Sequence, residues 1–338
     1  MKGYPMTAFS AHLRYAVLVF LTAVSFTATA HAAEPQLLNP LAKPYPAPAI
    51  TGIHQWLNGA AQTPASLKGK VVLIDFWTYS CINCIRTLPH LKEWYKKYHD
   101  AGFEIIGVHS PEFAFEANAD NVQKAIDRFG ITWPVAMDND MATWRSFANQ
   151  YWPAHYLIDK NGMVVYSHFG EGKYDITEHN IRTLLGLPET DDLDNGRKVS
   201  TSDQTRETYL GTARAANEFT SGGPLPLHNW RISGNWQRSA ENITSAGAGA
   251  KLDLHFKAKK VFLVLAPQGN TPVDATVELI SGPKDGLGKD VRNSTMHIDS
   301  SRLYELVNLP ADGEGIVRIT AATAGLEAYA FTFESSGD

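Results

Sequence analysis

The sequence predicts an α/β domain with a central mixed sheet flanked by helices, followed by an all-β sandwich. Three observations carry this. Up to about residue 187, β-branched runs alternate with segments of helical periodicity, the pattern of a helix-covered sheet. Beyond Pro188 helical periodicity fades, and short alternating runs separated by Gly, Pro and Asp clusters take over. Between the two lies Glu189–Thr205, polar and rich in Asp, Ser and Thr. A length of 338 residues favours two domains over one.

The elements follow in order. Lys2 and Arg14 precede an apolar run, Tyr15–Phe26, too short to span a bilayer, and Ala30-His31-Ala32 has the form of a cleavage site. Residues 1–32 therefore read as a signal peptide cleaved near Ala32, which places the mature chain in the periplasm or another extracytoplasmic compartment. Residues 33–47 form a Pro-rich, extended leader. Val71–Trp77 reads as a buried strand and Cys84–His99 as a helix, with Leu88, Leu91, Trp94, Tyr95 and Tyr98 on one face. Gly102 ends that helix, and Phe103–His109 is the next strand. Asn118–Phe129 and Ala142–Asn149 read as helices. Ala154–Asp159 and Val164–Phe169 are strands around the hairpin signal Lys160-Asn161-Gly162, and Ile176–Leu185 is a closing helix.

The first domain thus covers residues 48–187, a linker 188–204, and the second domain 205–338. In the latter, strands are expected at Lys251–Phe256, Val261–Ala266, Val273–Ile280, Leu303–Leu309, Gly315–Thr320 and Leu326–Phe333. A net charge of −5 without a Lys/Arg block gives no footprint for nucleic acid.

The chemistry lies in Trp77-Thr78-Tyr79-Ser80-Cys81-Ile82-Asn83-Cys84, which holds the only two cysteines. A structural disulfide gains stability with the size of the loop it closes, and two intervening residues close almost none. Redox chemistry explains the pair better. Cys81 falls where a strand hands over to a helix, whose free N–H groups favour the thiolate. Cys81 is then the attacking nucleophile, and Cys84, on the same helix face, resolves the mixed disulfide. The pair is its own redox centre, and no further cofactor is expected. Structural zinc lacks two further ligands. Copper relay, with His109 or His155 helping, is a minor alternative.

Leu73-Ile74-Asp75-Phe76-Trp77 followed by Cys81 and Cys84 resembles the active-site strand of the thioredoxin superfamily. That resemblance implies that Asp75, six residues before Cys81, is the buried acid that accepts the proton of Cys84. A carboxyl among apolar neighbours can take that role near neutral pH. It also implies that Pro153 is a cis-proline packed against the disulfide, with Trp152 before it shaping a substrate groove; Trp77 and Tyr79 are read as packing beside the disulfide, structural rather than catalytic, and are candidates to line that groove. Glu112 resembles the functional acid of the TlpA/ResA branch, with Glu116 a second acid nearby.

Phe76–Cys84, Pro111–Glu116, Tyr151–Ala154, Glu207–Gly211, Trp230–Trp236 and Ala328–Phe333 look like the extracytoplasmic part of DipZ-type proteins. Those join a thioredoxin-like domain to a jelly-roll-type, carbohydrate-binding-module-like sandwich. By this resemblance the chain exchanges disulfides with protein thiols. Because it lacks the family's membrane electron-transfer domain, a separate electron donor or acceptor in the envelope is expected. Trp230 and Trp236, with Tyr304 and Tyr329, are candidates for stacking on a glycan, although aromatics in a sandwich are more often core. Two alternatives remain open. Thr78 three residues before Cys81 resembles a peroxiredoxin, but that family's proline is here Ile74. The other is a glycan-binding protein with an accessory redox domain.

Overall fold

The computed structural model describes residues 1–3, 36–188 and 203–336, apart from Asn270 and Lys284. Most of the proposed signal peptide, the start of the leader and most of the linker lie outside these residues. In the first domain, β1 (Tyr45–Pro46), β2 (Gln55–Leu57) and the short α1 (Pro64–Leu67) precede β3 (Val71–Trp77), α2 (Ile82–Tyr98) and β4 (Phe103–His109). Then come α3 (Ala119–Phe129), β5 (Val135–Met137), α4 (Ala142–Ser146), β6 (Ala154–Ile158), β7 (Met163–Phe169) and α5 (Tyr174–Leu185).

These strands form one mixed sheet in the order β1-β7-β6-β3-β4-β5-β2. β3 runs parallel to β4 and antiparallel to β6, so it is central, and all seven of its residues are buried. One face packs on α2, α3 and α5 through Leu73, Leu88, Leu91, Val122, Ile126 and Ile181. The other packs Val72, Ile74 and Phe76 against Trp144 and Phe147, with Leu41 and Tyr45 of the leader and Ile50 just after it. β1, β2, α1 and β5 went unforeseen because two to four residues are too few to show a period. The described part of the Pro-rich leader is not uniformly extended: it bends at residues 38–39 and 42–43, and Tyr45 and Pro46 then pair with β7 at the sheet edge, where a proline's missing N–H is harmless.

The second domain comprises β8 (Thr208–Tyr209), β9 (Trp230–Ser233), β10 (Trp236–Arg238), β11 (Ile243–Ser245), β12 (Lys251–Pro267), β13 (Val273–Ser281), β14 (Thr295–Ile298), β15 (Arg302–Ala321) and β16 (Leu326–Glu334). All nine strands belong to one antiparallel sheet that curls around a shared core. Two pairs of expected strands are single long strands, β12 and β15. Both are irregular where the sequence suggested a turn. Asn308 and Gly313 pair with Lys260 and Ala258, so four residues of β15 stand opposite one of β12. Such bulges bend a sheet without ending its strands, and Pro310 falls in the unpaired stretch.

The two domains share a small core. Phe113, which follows β4, packs with Val264, Ala266, Tyr329 and Ala330 of the curled sheet. Around it, Arg214 pairs with Glu112 at 2.7 Å, and Glu241 accepts a hydrogen bond from the Ala114 N–H at 3.0 Å.

Candidate active site: a dithiol at a strand-to-helix turn

β3 carries the chain through the middle of the sheet and releases it at Thr78, and α2 begins a few residues on, at Ile82. Cys81 is the N-cap of α2, in extended conformation (φ −76°, ψ 116°), and its Sγ accepts the Cys84 N–H at 3.4 Å. A sulfur in this position replaces the usual Ser or Asp cap of a helix N-terminus. Cys81 is partly exposed and Cys84 fully buried, and both are free thiols. Burial, together with the Cys81 sulfur beside it, pushes the Cys84 thiol well above the usual cysteine range. One thiol is therefore available to a partner and the other is held back behind it.

Asp75 lies beneath this pair, 1% exposed. His155 Nε2 is 3.2 Å from its Oδ1, close but not aligned as a hydrogen bond, and among the described residues neither carboxylate oxygen has a hydrogen-bond partner. The Trp152–Pro153 peptide is cis. The Trp152 indole packs on Trp144 with centroids 4.2 Å apart and donates to the Ser110 carbonyl at 3.0 Å.

Cys81 opens into a cleft of about 690 Å³ walled by both domains. Trp152, Phe169 and Glu171 come from the first, and Arg206, Glu207 and Phe333 from the second. Arg86 of α2 fastens the two walls together. It donates to Glu171 at 2.9 Å and to the Phe333 carbonyl at 2.9 Å, and lies 3.5 Å from Glu334.

Several expected site residues stand elsewhere. Glu112 reaches the cleft, but it is tied by Arg214 and by the Tyr209 hydroxyl at 2.8 Å, and so belongs to the domain junction. Glu116 is the fully buried acid of the two, accepting from Ser80 Oγ at 2.6 Å and from the Glu112 and Phe113 N–H groups at 2.7 and 3.0 Å. Burial raises its carboxyl above the ordinary value. Trp77 and Tyr79 do not face the groove. They are 1% and 2% exposed and pack on His109, whose ring burial drives down to about 3.

Trp230 is not available to a sugar. It is fully buried in the sheet core and donates to the Ala216 carbonyl at 2.8 Å. Trp236 is half-buried against the same core and donates to the Ser233 and Lys251 carbonyls, both at 3.2 Å. Tyr304 and Tyr329 are buried as well. As for copper, His109 is enclosed and His155 faces Asp75. Among the described residues, no three His, Cys, Asp or Glu side chains stand together to hold a metal ion.

Arg86, Arg214, Glu207 and Tyr209 were not foreseen. Arg86, Arg214 and Tyr209 bond across the domain boundary and Glu207 lines the cleft the two domains share, and no local spacing encodes that. The helical position of Arg86, on the Cys81 side of α2, was the one available hint.

A thiol pair of this geometry on this sheet defines a thioredoxin-like redox protein, and comparison with known proteins agrees. Residues 44–185 match the Redoxin family, and residues 205–334 match the thioredoxin-like C-terminal domain family. The thiol-disulfide oxidoreductase YkuV of Bacillus subtilis is 30% identical over 144 residues, 43% of this chain and 97% of YkuV. The thiol-disulfide oxidoreductase ResA of Halalkalibacterium halodurans is 30% identical over 139 residues, 41% of this chain and 74% of ResA. The chain belongs to this family of thiol-disulfide oxidoreductases.

Its similarity to protein DipZ of Mycobacterium tuberculosis extends further, with 40% identity over 265 residues, or 70% of this chain. The match spans 38% of the length of DipZ. Among solved structures, a thioredoxin-like protein in the oxidized form is 32% identical, with a TM-score of 0.39 over 42% of this chain and 95% of its own.

Proposed function

We propose that this oxidoreductase exchanges disulfides with protein partners outside the cytoplasm through the Cys81–Cys84 couple, with no other cofactor. The observation that carries the reading is the asymmetry of the pair, an accessible capping sulfur at Cys81 and a fully buried thiol at Cys84. In the oxidising direction, a partner thiolate attacks Cys81 of the enzyme disulfide and Cys84 leaves. In the reducing direction, the Cys81 thiolate attacks a partner disulfide, and one partner sulfur departs with the electron pair. Cys84 then gives its proton to Asp75 and attacks Cys81, which closes the enzyme disulfide and frees the second partner sulfur. Each step is a thiolate displacement at sulfur, and the order of attack follows accessibility.

A protein partner suits a cleft long enough to be walled by both domains and floored by Trp152. The apolar run and A-x-A site before Ala33 support an extracytoplasmic location, where a separate envelope protein supplies or removes the electrons. The test is trapping. Cys84→Ser should accumulate mixed disulfides with partners, visible on non-reducing gels and reversed by dithiothreitol, whereas Cys81→Ser should trap none. Equal trapping by both variants would overturn the assignment of roles.

A further inference from the structure

A carboxylate that takes the Cys84 proton must release it before the next cycle, and Asp75 has no contact of its own with water. It is 1% exposed, and among the described residues neither oxygen has a hydrogen-bond partner. Its neighbours on the sheet supply a route. His155 on β6 stands opposite Asp75, and His168 on β7 stands opposite His155. Cross-strand partners share one face, with Cβ atoms about 5 Å apart. Three titratable side chains therefore cross three adjacent strands in a row.

The chemistry along the row is directional. His155 is 1% exposed, and its Nε2 faces Asp75 Oδ1 at 3.2 Å without any hydrogen-bond partner among the described residues. An imidazole presents its two nitrogens in different directions, so the second points away from Asp75. His168 is half-buried, with Nε2 3.0 Å from the Glu171 carbonyl. A carbonyl only accepts, so Nε2 of His168 carries the hydrogen and its other nitrogen is the acceptor when the ring is neutral. Burial drives the His168 ring down to about 4, which keeps it neutral at physiological pH. The row ends at the site, because Phe169, Gly170 and Glu171 line the same cleft as Cys81.

We propose that His155 and His168 relay protons between Asp75 and the Cys81 cleft. The inference rests on the reading of Asp75 as acceptor of the Cys84 proton. The Cys84 S–H gives its proton to Asp75, and the thiolate electron pair forms the bond to Cys81 Sγ. The bond from Cys81 to the partner sulfur breaks, and that sulfur leaves with the pair. In the same step Asp75 hands a proton on to His155 Nε2, the other His155 nitrogen gives one toward His168, and His168 Nε2 releases one toward the cleft. There it neutralises the departing thiolate. One thiol and one disulfide become another thiol and another disulfide, so no outside oxidant is needed.

His155 and His168 touch neither cysteine and are positioning residues that act through Asp75. The other ionisable groups beside the row are Cys81 and Cys84 on α2, Lys173 at the head of α5, and Glu171, which is paired to Arg86. β4 sets only Gly107 opposite Asp75.

The test uses the reduced full chain and an aromatic disulfide, dithiobis(nitrobenzoate), which releases a coloured thiolate at each step. The first release reports attack by Cys81 and the second reports resolution by Cys84. His155→Gln should slow the second release by about tenfold or more and flatten its pH profile, and should leave the first within about twofold. His168→Gln should slow the second release too, with recovery on adding imidazole, because the His168 ring is only half-buried and solvent can reach that end of the row. A second release with wild-type rate and pH profile in His155→Gln would overturn the relay. If Asp75→Asn leaves the second release unchanged, the acceptor reading falls and the relay with it. If His155→Gln does not fold, His155→Asn and the solvent deuterium effect on the wild-type second release decide, and an effect absent from both overturns the relay.

Discussion

Replacing Glu116 by alanine should destabilise the protein by about 3–6 kcal/mol, whereas glutamine should cost about 1 kcal/mol. The figures follow from what the carboxyl holds. Glu116 is fully buried, and its Oε1 accepts from Ser80 Oγ at 2.6 Å and more weakly from the Ser80 N–H at 3.4 Å. Its Oε2 accepts from the Glu112 and Phe113 N–H groups at 2.7 and 3.0 Å. Alanine removes every acceptor and strands three well-made donors at about 1–3 kcal/mol each, the upper sum being reduced by relaxation around the void. Glutamine keeps its one amide oxygen toward the two backbone donors and turns its NH2 to the Ser80 hydroxyl, which can reverse and accept. The bond it forfeits is the long one to the Ser80 N–H.

Urea unfolding of the reduced protein measures both values. Because Ser80 precedes Cys81, Glu116→Ala should also disturb the first thiolate release in the aromatic disulfide assay. Alanine and glutamine variants within about 1 kcal/mol of each other would refute this account of Glu116. The pH dependence has a definite sign. Burial raises the Glu116 carboxyl above its ordinary 4.5, so the native state keeps this proton to higher pH than the unfolded chain does. That contribution is fully present below the unfolded value and is lost as pH rises through the folded one. Since a glutamine side chain does not ionise, the advantage of wild type over Glu116→Gln should shrink as pH rises.

Two further predictions concern the packing. Tyr329 meets Phe113 and Phe115 edge-on, with centroids 5.1 and 4.8 Å apart, so Tyr329→Ala should cost about 3–5 kcal/mol and split urea unfolding into two transitions. A single transition displaced by under about 1 kcal/mol would show that this junction does not couple the domains. His109 has the opposite linkage to Glu116: burial drives its ring down from 6.5 to about 3, so its contribution is present above 6.5 and lost as pH falls toward 3. Wild type should therefore lose up to about 1.4 kcal/mol per pH unit more than His109→Phe below 6.5, as read by urea midpoints at stepped pH.

Much of the first domain was legible because its long elements repeat a local rule. β3 and β4 carry seven consecutive buried residues each, and α2 shows its apolar stripe at helical spacing. The short strands were not legible. β2 and β5 hold three residues each, and they pair with one another across most of the domain's length in sequence. In the second domain, composition announced β-structure, but bulges and strand ends look alike in a sequence. The irregular middles of β12 and β15 therefore read as turns.

The redox pair behaves in the same two ways. Two cysteines separated by two residues, after a buried strand and at the start of an apolar-striped helix, place one thiol at the helix cap and the other buried behind it, because three-residue helical spacing is local geometry. The sequence also supplied Asp75 through a resemblance at fixed distance from Cys81. It did not say that Trp230 would be swallowed by the sheet core, since an aromatic ring reads the same on either side of a strand until the sheet curls. Nor did it say that Glu116 rather than Glu112 would be the buried acid. Only the tertiary structure decided what surrounds the dithiol. A cleft walled by both domains, Arg86 holding them together, and the row Asp75, His155, His168 depend on strand register and domain docking. Those join residues far apart in the chain, and no local pattern records them.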